Sequence, residues 1–152
     1  MKIWVDADAC PKPIKSILFR VADRLRISVL FISNQRIKVP KSNYIDTVQV
    51  AGGFDIADEY IIERIEPLDL VITADIPLAS AIVGKNGFAI NPRGTLYNKD
   101  NISEILAMRN LKDELRSTGL DIGGPSQFKS GDTEAFANQL DKFFNRIKND
   151  RG

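Results

Sequence analysis

At 152 residues, 43% of them hydrophobic and 27% charged, the chain has the size and composition of one globular domain, residues 1–152, with enough apolar surface to bury a core. Its 21 Lys and Arg against 20 Asp and Glu leave a net charge of +1, which excludes a surface that is basic throughout but leaves room for a local basic rim. With no histidine, it has neither a Ser–His–Asp or Cys–His relay nor a histidine zinc site, so metal chemistry would use oxygen ligands, which suit Mg2+ or Mn2+.

The apolar run Ile3–Val5, ending at Asp6 and Asp8, predicts a buried first strand. Pro11 and Pro13 mark a helix start, and Ile14, Ile17, Leu18, Val21, Ala22 and Leu25 follow at helical spacing. Residues 27–33 are β-branched and aromatic and predict a second strand; 35–43 are polar and basic, with Pro40, and predict a loop. A third strand is expected over 44–50. Gly52 and Gly53 break it before a second helix carrying Ile56, Ala57, Tyr60, Ile61 and Ile65, which Pro67 ends. A fourth strand over 68–73 leads into Asp75, and a helix over 76–83 closes at Gly84 and Gly87. A short fifth strand, 88–90, stops at Asn91-Pro92-Arg93-Gly94. A long helix is expected over 102–115, an irregular glycine-rich stretch over 119–131, and a last amphipathic helix over 133–147 capped by Asp132.

This alternation predicts an α/β fold of three layers, a mostly parallel central sheet of about five strands with helices on both faces. Ligands of such sheets sit outside the carboxyl ends of the strands, at a switch point in strand order. Those ends carry Asp6 and Asp8, Asn34, Asp55 and Asp58, Asp75, and Asn91 with Arg93. Gathered carboxylates repel unless a cation neutralises them, and Mg2+ or Mn2+ is the natural one beside a phosphate ester. Asn34, Asn91 and Arg93 are then candidates to hold substrate or phosphate, Arg93 through paired hydrogen bonds. Each of Asp8, Asp55 and Asp75 also has a structural reading, as the cap or first-turn acid of a following helix. Asp6 has none, because it ends a buried strand. Cys10 reads as a buried thiol, since no histidine can activate it. Gly123-Gly124-Pro125 reads equally as a phosphate nest or a turn. No apolar run approaches the ~18–20 residues of a membrane span, and the acid at position 6 comes too early for a signal peptide; a cytoplasmic protein is expected.

Five segments together resemble the YaiI/YqxD family: Asp6-Ala7-Asp8-Ala9-Cys10-Pro11, Gly53-Phe54-Asp55-Ile56-Ala57-Asp58, the stretch from Asp69 to Ala79 containing Thr73-Ala74-Asp75, Asn91-Pro92-Arg93-Gly94, and Gly123-Gly124-Pro125-Ser126-Gln127-Phe128. The resemblance spans the chain from its first strand to its last helix, and it implies a place in the PIN-like group of metal-dependent nucleases. It implies that Asp6 is the acid ending the first strand, Asp58 or Asp55 the acid in the helix before the fourth strand, and Asp75 the acid following that strand. Asp132 is a weak match for the last acidic position. The expected function is a Mg2+- or Mn2+-dependent nuclease acting on RNA or another single-stranded nucleic acid, with Asp6, Asp8, Asp58 and Asp75 catalytic and these four plus Asp55 as metal ligands. Two alternatives stand beside it: a haloacid-dehalogenase-like phosphatase with Asp6 as nucleophile, and a non-catalytic metal- or nucleic-acid-binding module.

Overall fold

The computed structural model describes residues 1–53, 55–124 and 126–151; Phe54 and Pro125, each within a quoted motif, lie outside them. The elements in chain order are β1 (Ile3–Asp6), a 3-10 turn (Ala7–Ala9), α1 (Lys12–Leu25), β2 (Val29–Ser33), β3 (Ile45–Gln49), α2 (Ile56–Arg64), β4 (Leu70–Ile72), α3 (Ile76–Gly84), β5 (Phe88–Ile90), β6 (Leu96–Tyr97), α4 (Ile102–Ser117) and α5 (Ser130–Arg151). One six-stranded sheet runs in the order β3-β2-β1-β4-β5-β6, parallel except for the β5–β6 pair.

The α/β expectation holds, with one strand more than anticipated. β6 has only two residues, too few to leave a periodic signal, and it forms because the Asn91–Gly94 turn folds Leu96 and Tyr97 back against Ile90 and Ala89. The last helix starts earlier than expected, at Ser130. Asp132 is therefore not its cap residue. It sits in the first turn, and its Oδ2 reaches back to accept from the Lys129 N–H at 2.9 Å, one half of a capping box.

Strand alternation sorts the core onto two faces. Ile3, Val5, Val29, Phe31, Leu70 and Ile72 point to one side, where α1 supplies Ile14, Ile17 and Leu18 and α5 supplies Phe136, Leu140 and Phe143. Trp4, Ile32 and Val71 point to the other, under Ile61 of α2 and Leu78 and Ile82 of α3. α4 closes the flank through Ile102, packed with Ala79, Val83 and Tyr97. Each fully buried apolar side chain contributes roughly 1.5–3 kcal/mol. Among the described residues, no helix is long and apolar enough to cross a membrane.

Gly94 locks the β5–β6 turn to α5. Its φ is +98°, and a Cβ there would lie 2.7 Å from the backbone carbon of Ala135 and 3.0 Å from the Phe136 nitrogen. Both the dihedral and the close approach require glycine. Gly94→Ala is expected to cost about 2–3 kcal/mol and to lower the melting temperature by about 5–10 °C. A thermal melt followed by circular dichroism within 2 °C of wild type would contradict this close-contact account.

Candidate metal centre

The strand order reverses between β1 and β4. β2 and β3 were laid down on one side of β1, and the chain then crosses back to place β4 on the other. This junction is the crevice where ligands of doubly wound sheets bind. β1 ends there with Asp6, and β4 with Ile72 followed by Thr73. The Thr73 hydroxyl is buried and spans the crevice: it donates to Asp6 Oδ2 at 3.0 Å and accepts from the Asp75 N–H at 3.0 Å. Asp75 then caps α3, its Oδ1 accepting from the Leu78 N–H at 2.9 Å.

α2 delivers two further acids. Asp55 precedes it with φ 62° and ψ 9°, a left-handed conformation that aspartate tolerates better than branched residues do. The expected capping role of Asp55 is not realised, since its side chain makes no capping hydrogen bond. Asp58 sits in the first turn of α2, where the helix N-terminus favours negative charge. Asp55, Asp58 and Asp75 each offer one carboxylate oxygen, and these oxygens all lie within 4.8 Å of one another. The donors are exclusively carboxylate, as a hard divalent cation requires.

The clustered carboxylates perturb one another. Asp58 is pushed up to about 7 from an ordinary 3.8, first by burial, then by the charges of Asp75 and Asp6, the carboxyl contact with Asp75 and the charge of Asp55. Asp6 is raised as well, mainly by burial, with Asp75 and Asp8 adding to the effect and the Thr73 hydrogen bond opposing it. Asp6 is thus coupled by charge to Asp58 and Asp75 without joining the 4.8 Å group.

Of the sequence-derived candidates, the structure brings together Asp55, Asp58 and Asp75, with Asp6 beside them. Asp8 is exposed, lies outside that group and is not a helix cap; its Oδ2 accepts from the Asn34 N–H at 2.8 Å and so ties the 3-10 turn to the end of β2. Asn34 contributes backbone to that tie, and its carbonyl accepts from Gln49 Nε2 at 3.4 Å. Asn91 shapes the β5–β6 turn: its Oδ1 accepts from the Arg93 N–H at 2.7 Å and its Nδ2 donates to the Tyr97 hydroxyl at 3.1 Å. The Arg93 guanidinium is engaged by Ser126, by Asp132 at 3.4 Å and by the Phe128 ring, fastening the segment before α5 to the sheet edge. Gly123 is held by Asp121 and Arg116, as in a turn. Burial pushes the Cys10 thiol up to about 12, so it remains an unreactive packing group.

Three residues of the site carry no functional assignment from the sequence. Thr73 stands in the sequence as a strand end within the Asp69–Ala79 segment, although a hydroxyl between a strand and an acid at a crevice is a signal of a kind. Glu59 and Arg109 line the cleft of about 330 Å3 that holds Asp55, Asp58 and Asp75. Arg109 comes from α4, and only the packing of α4 against α3 brings it there.

Residues 4–146 match the family model described as "Uncharacterized BCR, YaiI/YqxD family". The chain is 53% identical over 146 residues to a UPF0178 protein of Shewanella baltica and 54% identical over 146 residues to one of Janthinobacterium sp., covering 96% of this chain and 97% of each relative. A UPF0178 protein of Herminiimonas arsenicoxydans is 53% identical over 146 residues, 96% of this chain and 98% of its own. No solved structure matches significantly.

Proposed function

We infer that this chain, which belongs to the YaiI/YqxD family, is a divalent-metal-dependent phosphodiesterase acting on single-stranded nucleic acid, RNA foremost. The observation that carries the reading is the convergence of the Asp55, Asp58 and Asp75 oxygens within 4.8 Å at the sheet's switch point. The position of Asp6 at the end of β1 and of Asp58 in the helix before β4 supports the likeness to PIN-like nucleases. Asp132, the weak match for the last acid of that group, is taken up by Lys129 and Arg93 and is given no role.

Asp55, Asp58 and Asp75 would hold Mg2+ or Mn2+. When bound, such a cation supplies stabilisation for the charge that builds on a phosphoryl group. Asp6 has the character of the proton acceptor: it is half-buried, burial raises its carboxyl above the ordinary value, and the Thr73 hydroxyl fixes one of its oxygens. Thr73 also ties the Asp75 backbone to Asp6, so the acceptor and a metal ligand move as one unit. A phosphatase with Asp6 as nucleophile fits less well, because the carboxylates that converge are Asp55, Asp58 and Asp75, and Asp6 stands outside their group.

The test is Mn2+-dependent cleavage of a mixed panel of RNA and single-stranded DNA. Wild type should cleave at least one member, and Asp6→Asn should be slower by roughly 10²–10⁴-fold. Wild type no faster than Asp6→Asn on every member, with Mn2+ binding intact by calorimetry, would replace this reading with that of a binding module.

A further inference from the structure

α4 offers a second hollow that the acidic centre leaves unused. Between α3 and α4 lies an open groove of about 470 Å3. Its basic residues are Arg109, Lys112 and Arg116, set against one acid, Glu104; its apolar lining is Ile76, Ile105 and Met108. Ile76 adjoins Asp75 in the chain, and Arg109 lines this groove and the acidic cleft alike, so the two hollows meet at Arg109.

The spacing of the cations is helical. Residues 109, 112 and 116 fall three and four apart and form one row along α4. Asp113 lies 3.1 Å from Arg109 and 3.3 Å from Arg116, all three side chains being roughly half-exposed, and the Arg116 guanidinium also donates to the Gly123 carbonyl at 3.1 Å. One carboxylate shared between two guanidinium groups leaves the row cationic. Such exposed pairs are weak and exchange readily for a phosphate. Beside the row, Met108 is 50% exposed. Solvent-facing methionine next to arginine suits the flat face of an unpaired base. A duplex would present phosphates but keep its base faces stacked inside.

We propose that the α3–α4 groove is the track along which single-stranded nucleic acid reaches the acidic centre, with Arg109 as the residue that positions the incoming phosphate at their junction. The proposal rests on the phosphodiesterase reading for its direction of travel, but strand binding can be measured without any reaction. The measurement is fluorescence anisotropy of a labelled single-stranded oligouridylate in EDTA, titrated at several salt concentrations. Lys112→Ala/Arg116→Ala and, separately, Arg109→Gln are compared with wild type, and circular dichroism checks that each is folded. The double variant is expected to bind roughly 20-fold more weakly at ~0.1 M salt, with the slope of log affinity against log salt smaller by about 1.4. A matched duplex should bind less tightly to wild type than the single strand.

Lys12, Lys15 and Lys38, beside Phe19 on α1, line a separate basic hollow and serve as the competing path. Weakened binding in Lys12→Ala/Lys15→Ala/Lys38→Ala, with the α4 variants unchanged, would overturn the proposal. No strand binding by wild type would overturn it as well. Failure of cleavage with strand binding lost in the α4 variants would remove the enzymatic reading and leave the groove standing.

Discussion

Asp58→Asn is expected to abolish Mn2+ binding and metal-dependent cleavage while making the metal-free protein more stable above neutral pH. Both effects come from the same carboxyl. In the folded protein Asp58 titrates at about 7, against an ordinary 3.8, because it is buried and faces Asp75, Asp6 and Asp55. Between those two pH values the folded chain holds a proton that the unfolded chain has lost. Stability therefore falls as pH rises through this window, and the loss is complete once Asp58 is ionised. An amide removes the penalty. Asp58 is only half-buried, so solvent screening leaves part of the shift, on the order of 1–2 kcal/mol at pH 8, or a melting temperature higher by about 2–8 °C. Cation binding needs the ionised form, so Mn2+ should raise the wild-type melting temperature more at pH 8 than at pH 6, with proton release on binding. Asp58→Asn should lose that response and at least ~100-fold of any metal-dependent activity. A variant that keeps the Mn2+-induced shift would remove Asp58 from the ligand set.

Asp69→Ala is expected to produce the largest loss of stability, with no direct effect at the acidic centre. Asp69 lies at the opposite end of the β1–β4 pair and is only 3% exposed. Its Oδ1 accepts from the Lys2 N–H at 2.9 Å; its Oδ2 accepts from the Trp4 indole at 3.0 Å and the Glu66 N–H at 3.0 Å. Alanine would leave three donors without a partner, one of them on a buried tryptophan. At ~1–3 kcal/mol for each of the three unsatisfied donors, the sum is about 3–9 kcal/mol. That is a large part of the whole stability of a domain this size, so the variant should melt at least ~10 °C lower or fail to accumulate. A shift under about 3 °C would mean that water replaces the carboxylate at these donors.

Asp69 also shows what local reading misses. It stood in the quoted run from Asp69 to Ala79, yet its role depends on Lys2 and Trp4, which only the β1–β4 pairing brings near. Conversely, the fold class was open to inspection, because helical and strand periods alternate clearly from Ile3 to Ile90 and again in Phe136, Leu140 and Phe143. The edge carrying the site was equally legible: parallel strands place every ligand-bearing turn at one end of the sheet. The membership of the site was legible only in part. Asp6 and Asp8 are both candidate ligands after the first strand, but the 3-10 turn sends Asp8 to Asn34 and leaves Asp6 against Thr73. Arg93 is a candidate phosphate ligand because it follows a strand; its contacts with Ser126 and Asp132, set by the turn at Gly94, leave no mark in the sequence. Side-chain direction after a turn depends on tertiary packing, which period and spacing do not encode.

The two outer strands of the sheet have a consequence for assembly. β6 is a two-residue strand running against its neighbour, and β3 carries Asp46 and Thr47 exposed in its middle. A very short rim on one side and a charged rim on the other are poor templates for a further strand. Growth of the sheet from molecule to molecule, the usual first step toward fibrous deposits, is disfavoured at both rims. At high concentration, loss of solubility should therefore follow unfolding and not precede it.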